Sequence, residues 1–251
     1  MIDPWIYPAL TLVAVLTGFI DAVAGGGGLI MMPALLYAGI PPHLALGTNK
    51  VQSMCGTGMA LRNFRAAGLV AIKPNLGTAA FVFAGAAAGA FVIQRFSAEV
   101  LALIVPLLLM GVALYTVFSP RMDDRDRDSA LSDKAYRPVG AGIGFYDGFF
   151  GPGAGQFYAT TLVGLRGLGL TRATALTKLF NVTSNIASVI VFALGGQVLW
   201  LLGLCMAVGA MIGSWLGSHT AAKFGAKLIR PLLVVVSLGL TARLVWDWFA
   251  G

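Results

Sequence analysis

The sequence predicts an all-α polytopic membrane protein with two homologous halves, and three observations support this fold class. The chain is 58% hydrophobic and 11% charged, whereas a soluble domain carries about 25% charged residues. Uncharged runs such as residues 75–94 and 100–120 are long enough to cross a hydrocarbon core, which takes about 20 helical residues. A motif with an aspartate, a glycine run and a downstream lysine also occurs twice.

The repeated motif indicates an internal duplication. A shift of 126 positions superposes Asp21 on Asp147 and Gly25 on Gly151, and a shift of 128 superposes Lys50 on Lys178. We therefore divide the chain into a first membrane repeat (1–120), a charged linker (121–137) and a second membrane repeat (138–251). Each repeat should contain about four long helices and one short broken or re-entrant helix after its glycine break.

In the first half, a helix over residues 5–24 should end at four consecutive glycines, because each glycine disfavours helix by about 1 kcal/mol relative to alanine. The apolar segment 29–38 would be near 15 Å long as a helix, which is too short to cross the membrane. The third helix, 44–63, carries many polar side chains and must face protein or water. Two apolar helices complete the half.

The second half repeats this order. We expect its segments at residues 139–150, 156–165, 171–194, 199–218 and 228–249. The linker between the halves carries charges of both signs, and we expect it to be a flexible, solvated connection, with a docking loop as the alternative.

Corresponding loops of the two halves differ in charge. The loop that follows the polar helix is basic in the first half, but its counterpart in the second half, near Gly195, has no charge. The loop after that shows the opposite difference, because it is strongly basic only in the second half. The basic residues are Arg62, Arg65 and Lys73 in the first half, and Lys223, Lys227 and Arg230 in the second. Because positively charged short loops stay cytoplasmic, this favours inverted repeats with the linker inside. The hydropathy count of four long helices per half keeps parallel copies open.

The duplicated acids, lysines and glycines predict a binding site for a small anion. Short helices that begin after the glycine breaks present free N–H groups and partial positive charge, and glycine lets a ligand approach the backbone. Broken helices of this kind face the substrate in secondary transporters. The predicted substrate-binding residues are Gly25, Gly26, Gly27, Gly28, Asn49, Lys50, Gln52, Ser53, Gly151, Gly153, Gly155, Thr177, Lys178, Asn181, Ser184 and Asn185.

The two aspartates have two interpretations. Charged residues inside a membrane cost about 3 kcal/mol on insertion scales, so Asp21 and Asp147 could serve proton coupling, or could neutralise the lysines when no anion is bound. The structural alternative pairs Asp21 with Lys50 and Asp147 with Lys178, so that each ion pair stabilises its own half.

Other classes of site find no support in the sequence. The glycine runs lack the following Lys-Ser or Lys-Thr of nucleotide loops, and no hydrolase or metalloprotease motif occurs. We read Cys55 and Cys205 as buried thiols and His43 and His219 as ordinary loop residues, so no metal and no cofactor are predicted. The net charge of +7 sets orientation in the membrane rather than binding to nucleic acid.

The two motif copies resemble the TauE/SafE family of sulfite and organosulfur anion exporters, in its bacterial inner-membrane branch. The matching segments are Gly18-Phe-Ile-Asp21 with Gly25–Gly28, Gly47-Thr-Asn49-Lys50, the run Gly144–Gly153, Thr177-Lys178, and Asn181–Asn185. The resemblance covers nearly the whole chain. It implies a multi-pass inner-membrane protein that moves sulfite, sulfoacetate, thiosulfate or organic acids with the proton gradient.

The function predicted from the sequence is therefore secondary transport of a small anion. A passive anion channel is the first alternative, because it would share the broken helices and lysines without needing the aspartates to titrate. A membrane-embedded enzyme is the second. The expected partners are the anion, protons and membrane lipid, with no nucleic acid, and a homodimer is one option for the assembly.

Overall fold

A computed structural model of the chain describes residues 3–118, 123–225 and 227, and its regular structure there is all helical. This confirms the predicted fold class. The helices are α1 (Ile6–Ala24), α2 (Gly27–Tyr37), α3 (Pro42–Ala66), α4 (Ile72–Ile93), α5 (Ala98–Phe118), α6 (Asp133–Phe149), α7 (Ala154–Arg166), α8 (Leu170–Leu194) and α9 (Trp200–Phe224). The helix predicted at 228–249 lies outside the described residues.

Four of the described helices are long and apolar enough to cross a membrane, namely α1, α4, α8 and α9. The polar helix α3 spans 25 residues, and its polar segment 45–52 is buried, as its composition requires. Side chains such as Leu201, Leu204 and Val208 of α9 are exposed, which suits a lipid-facing surface.

The short helices predicted after the glycine breaks are present. Gly25 (φ 74°) ends α1 in the left-handed conformation, and Gly153 (φ 82°) precedes α7 in the same conformation, which favours glycine. Helix α2 has 11 residues and α7 has 13, so they are about 16 and 20 Å long. Neither can cross a bilayer alone.

Helices from one half pack closely on helices from the other. Helix α1 lies along α9, and α4 lies along α6. A Cβ at Gly18 would lie 2.5 Å from the Ala210 carbonyl oxygen, and a Cβ at Gly144 would lie 2.5 Å from the Val82 carbonyl oxygen. Glycine therefore allows both contacts, as small residues do between membrane helices.

The polar helices α3 and α8 run in opposite directions at the centre of the fold. Thr48, near the start of α3, accepts a hydrogen bond from the backbone N–H of Leu199, which follows α8 (3.0 Å). Val70, after the end of α3, lines the same cavity as Arg172, near the start of α8. These helices hold equivalent places in the two predicted repeats, so their directions favour inversion, which stays a prediction.

The described part of the linker is hydrogen-bonded to the α7–α8 turn, and the flexible connection stays a prediction. The backbone N–H of Thr171 donates to Asp124 Oδ1 (2.7 Å), and that of Gly169 donates to Asp126 Oδ1 (2.8 Å). Arg172 also pairs with Asp126. The linker aspartates thus accept hydrogen bonds from N–H groups that have no partner within α8.

Helix α6 begins at Asp133, earlier than the predicted residue 139. The Ser132 hydroxyl accepts a hydrogen bond from the Ala135 N–H (3.3 Å) and caps the helix. The first turns of α6 are polar, and for this reason hydropathy did not reveal them.

Candidate functional site

The two glycine breaks meet at the centre of the molecule. A Cβ on Gly155 would lie 2.7 Å from Gly25 Cα, and a Cβ on Gly25 would lie 2.8 Å from the Gly155 carbonyl carbon. Contacts this short exclude any side chain at either position. The breaks therefore bring the first turns of α2 and α7 together, although they are far apart in sequence.

A cavity of about 30 Å³ lies where the breaks meet. Most of the predicted site residues line it, namely Asp21, Gly25, Gly28, Asn49, Lys50, Ser53, Asp147, Gly151, Gly153, Gly155, Asn181 and Asn185. An adjoining cavity of about 10 Å³ is lined by Gly27 and Gln52, together with Asp21 and Ser53. The residues singled out in the two halves thus surround one central space.

Four predicted residues are not among those that line these cavities. Gly26 lies at the start of α2, where its carbonyl accepts a hydrogen bond from Leu29 N–H (3.1 Å). The Thr177 hydroxyl donates to the Ala173 carbonyl of its own helix (2.9 Å). Ser184 donates to Asp147 Oδ2, and Lys178 donates to Asp21. Ser184 and Lys178 therefore reach the site through the aspartates.

The ion pairs join the two halves instead of stabilising each half separately. Lys50 Nζ lies 2.5 Å from Asp147 Oδ1, and their side chains are 2% and 5% exposed. Lys178 Nζ lies 3.3 Å from Asp21 Oδ2, with exposures of 0% and 23%. The predicted alternative of pairs within a half is wrong, because α3 and α8 each direct their lysine to the aspartate helix of the other half.

Each lysine also binds the end of a helix. Lys50 donates to the Asp147 backbone carbonyl in the last turn of α6, and Lys178 donates to the Asp21 carbonyl in the last turn of α1. Cations are favoured at this end of a helix by its carbonyl groups and by the helix dipole. Gly151 leaves room for the Lys50 ammonium, which would lie 2.8 Å from a Cβ at that position.

Comparison with known proteins gives the family. The family model described as Sulfite exporter TauE/SafE matches residues 10–244. The chain belongs to the TauE/SafE family. No solved structure matches it.

Three relatives match nearly the whole chain. The chain is 42% identical over 248 residues to the probable membrane transporter protein YfcA of Escherichia coli (strain K12), covering 98% of this chain and 92% of the relative. It is 44% identical over 242 residues to the probable membrane transporter protein ORF9 of Sinorhizobium sp (95% and 92%). A probable membrane transporter protein of Haemophilus influenzae is 42% identical over 240 residues (94% and 94%). The chain is thus a multi-pass membrane transporter of the bacterial inner membrane and not an enzyme.

One amide at the centre of this TauE/SafE transporter has an unsatisfied oxygen. Asn181 is 5% exposed, and no described residue hydrogen-bonds its Oδ1 atom. Its Nδ2 atom would lie 3.1 Å from a Cβ at Gly155, so the amide group lies against the glycine break. A buried polar atom without a partner is rare, and here it belongs to a residue that lines the cavity.

The cavity also contains a polar residue that the sequence prediction did not include. Thr57 lines it and is buried, and its hydroxyl donates to the Ser53 carbonyl (2.7 Å). Asn49, Ser53 and Thr57 follow one another at intervals of four residues, which places them on one face of α3. Extending that spacing from the predicted residues would have found Thr57.

Proposed function

We propose that this TauE/SafE protein is a secondary transporter of a small anion of the sulfite, sulfonate, thiosulfate or organic acid class, with its substrate site at the paired glycine breaks. The single observation that carries this proposal is the central cavity, which is lined by both breaks, by Lys50 and by polar side chains of both halves. A site assembled from both halves can change its access when the halves move relative to each other.

The lining groups suit an anion. The first turns of α2 and α7 supply N–H donors and partial positive charge, and glycine keeps the approach to them open. Asn49, Ser53 and Asn185 line the same space and can replace part of the hydration shell of the anion. A lysine ammonium adds a full charge in a low dielectric, where it acts strongly.

The ion pairs suggest how protons would be coupled. In the arrangement described here, Asp147 neutralises Lys50 and Asp21 neutralises Lys178, so an arriving anion has no free cation to bind. If an aspartate accepts a proton, its lysine is released and can bind the anion. One proton and one anion then enter together without changing the net charge of the site, which avoids the cost of an unpaired buried charge.

The cavity volume indicates which state is described. About 30 Å³ is room for one or two water molecules and is too small for a sulfonate. We infer that this is a closed state and that substrate enters when the breaks separate. The opposite directions of α3 and α8 favour inverted repeats, which would provide two such openings. The homodimer likewise stays a prediction.

Flux measurements in proteoliposomes test the transporter against the channel. We expect sulfite flux to respond to an imposed pH gradient, and a sulfite gradient to move protons that a trapped pH dye detects. Sulfite flux that is indifferent to the pH gradient would instead indicate a passive pore. Lys50→Ala should abolish flux, whereas Lys223→Ala, which removes the same charge at the end of α9, should retain it.

A further inference from the structure

A second and larger cavity lies at one end of the helix bundle. Its volume is about 210 Å³, and it lies between the α3–α4 loop, the α7–α8 turn and the start of α6. None of its lining residues borders the central cavity. Lys73, in the first turn of α4, and the charged linker lie at this end, which the charges predict to be cytoplasmic.

Two residues that line this cavity each have a buried polar atom without a partner among the described residues. Arg166 pairs with Asp133 through Nη2, and its side chain is 12% exposed, but no group in the described ranges hydrogen-bonds its Nη1 atom. Asn75 is 9% exposed and donates through Nδ2 to the Ala71 carbonyl (2.9 Å). Within the same ranges its Oδ1 atom has no donor. One cationic donor and one neutral acceptor therefore belong to residues that line the same space.

The surrounding contacts hold the cation in position. The Arg166 guanidinium lies 5.7 Å from the centre of the Tyr136 ring, within the range of a cation–π contact. Arg172, which also lines the cavity, pairs with Asp126. The Gly169 N–H, followed by Arg172, holds the pKa of Asp126 below its usual value, so this carboxylate stays ionised at neutral pH.

From this geometry we propose a second, peripheral binding site for an oxyanion that carries a hydroxyl group. The free Nη1 donor of Arg166 binds an ionised oxygen of the ligand, and Asn75 Oδ1 accepts a hydrogen bond from the hydroxyl. Both a soluble oxyanion such as hydrogen phosphate and the headgroup of an anionic lipid such as phosphatidylglycerol have this chemistry. The site is independent of transport through the central cavity.

Binding of inorganic phosphate to the full-length protein in phosphatidylcholine nanodiscs tests the proposal by calorimetry. Arg166→Gln should weaken phosphate binding by about tenfold or more, as expected for loss of a charge-assisted hydrogen bond. Arg127→Gln is the control, because it removes the same charge from an exposed linker position. Arg166→Gln also breaks the ion pair with Asp133, so its effect on binding could come from a structural change. Ala71→Trp is therefore a second variant, which keeps that ion pair and narrows the cavity from its exposed rim.

The role of Asn75 has its own test. Asn75→Leu should weaken binding of phosphate but leave binding of methanesulfonate unchanged, because methanesulfonate has no hydroxyl to donate. Lys50→Ala should leave phosphate binding at the peripheral site intact. A wrong proposal for the peripheral site can therefore be distinguished from a wrong proposal for the central transport site. Equal loss of both ligands in Asn75→Leu would contradict the proposed acceptor.

Phosphatidylglycerol nanodiscs analysed by native mass spectrometry distinguish the two sources of ligand. A lipid retained by the wild type and lost in Arg166→Gln and Ala71→Trp assigns the site to a headgroup, and phosphate binding without that lipid assigns it to a soluble anion. Either outcome supports the oxyanion site. If phosphate binding and lipid retention are both unchanged in the two variants, the proposal is wrong.

Discussion

The two lysine–aspartate pairs occupy equivalent places in the repeated motif, yet their surroundings differ. Lys50 and Asp147 are almost fully buried, and Ser184 donates a further hydrogen bond to Asp147. Lys178 is buried as well, but Asp21 is 23% exposed and its carboxylate lies 3.3 Å from the ammonium. Equivalent sequence has thus produced one enclosed pair and one accessible pair. Of the two carboxylates, that of Asp21 is the more exposed in this state.

The largest predicted effect is loss of the enclosed pair. Asp147→Ala leaves the Lys50 ammonium buried without a counter-charge, which typically destabilises a protein by about 3–5 kcal/mol. Thermal unfolding in detergent should show a large decrease in Tm. Lys50→Met combined with Asp147→Ala should restore much of the stability, because no buried charge then remains.

Asp21→Ala provides the matched comparison for that measurement. We expect a smaller loss of about 2 kcal/mol, because water reaches the Asp21 side of the pair and can hydrate the Lys178 ammonium. Equal loss of stability in Asp21→Ala and Asp147→Ala would show that the two pairs are energetically equivalent and would contradict the distinction.

The second prediction concerns pH. The coupling proposed above needs an ionisable carboxyl group at the site, and Asp21 is the more exposed of the two. Asp21→Asn, which keeps the size of the side chain but cannot ionise, should lose the response of flux to a pH gradient. Proteoliposome flux with and without a pH gradient measures this, with methanesulfonate as the anion because its charge does not change near neutral pH. An unchanged response in Asp21→Asn would remove Asp21 from the coupling step.

The third prediction tests the contact between the glycine breaks. Gly155→Ala introduces a Cβ that lies 2.7 Å from Gly25 Cα, so the breaks cannot close, and overpacking of this kind costs about 1–3 kcal/mol. We expect a lower Tm and loss of flux. Gly164→Ala in the same helix is the control, because its Cβ meets no atom within 4 Å and should be neutral or slightly stabilising.

The sequence predicted the parts of this molecule that depend on local physical chemistry. Runs of apolar residues indicated the membrane helices, glycines marked where helices end, and charged groups inside those segments identified the residues that line the cavity. The partner of each lysine could not be predicted, because it depends on which helices from distant parts of the chain pack together. Lys50 and Asp147 are 97 positions apart, and no local pattern favours that pair over Lys50 and Asp21.

The linker shows the same limit of local patterns. Alternating charges predicted a solvated segment, and its aspartates are indeed exposed, but their hydrogen bonds to Gly169 and Thr171 join segments more than 40 residues apart in the chain. The composition of the linker indicates that it is exposed to solvent, but it does not indicate which backbone N–H groups of other segments lie close to it.

The smallest predicted effect concerns this linker. Its contacts with the start of α8 should stabilise the second half, in addition to the difference between the two ion pairs. The pKa of Asp126 is held below its usual value, chiefly by the Gly169 N–H and also by Arg172. Its contribution to stability should therefore be present above about pH 4, the ordinary range for aspartate, and should be lost as pH falls towards the lower folded-state pKa. Because the pair is exposed, Asp126→Asn should cost only about 0.5 kcal/mol at pH 7.

Thermal unfolding of Asp126→Asn and the wild type at pH 7 and pH 3.5 measures that contribution, with Asp128→Asn as a control that removes the same charge from the linker. The difference in Tm between Asp126→Asn and the wild type should shrink at the lower pH, whereas Asp128→Asn should match the wild type at both. If Asp126→Asn and Asp128→Asn behave alike, the linker contact does not stabilise the second half, and the difference between the halves rests on the two ion pairs alone.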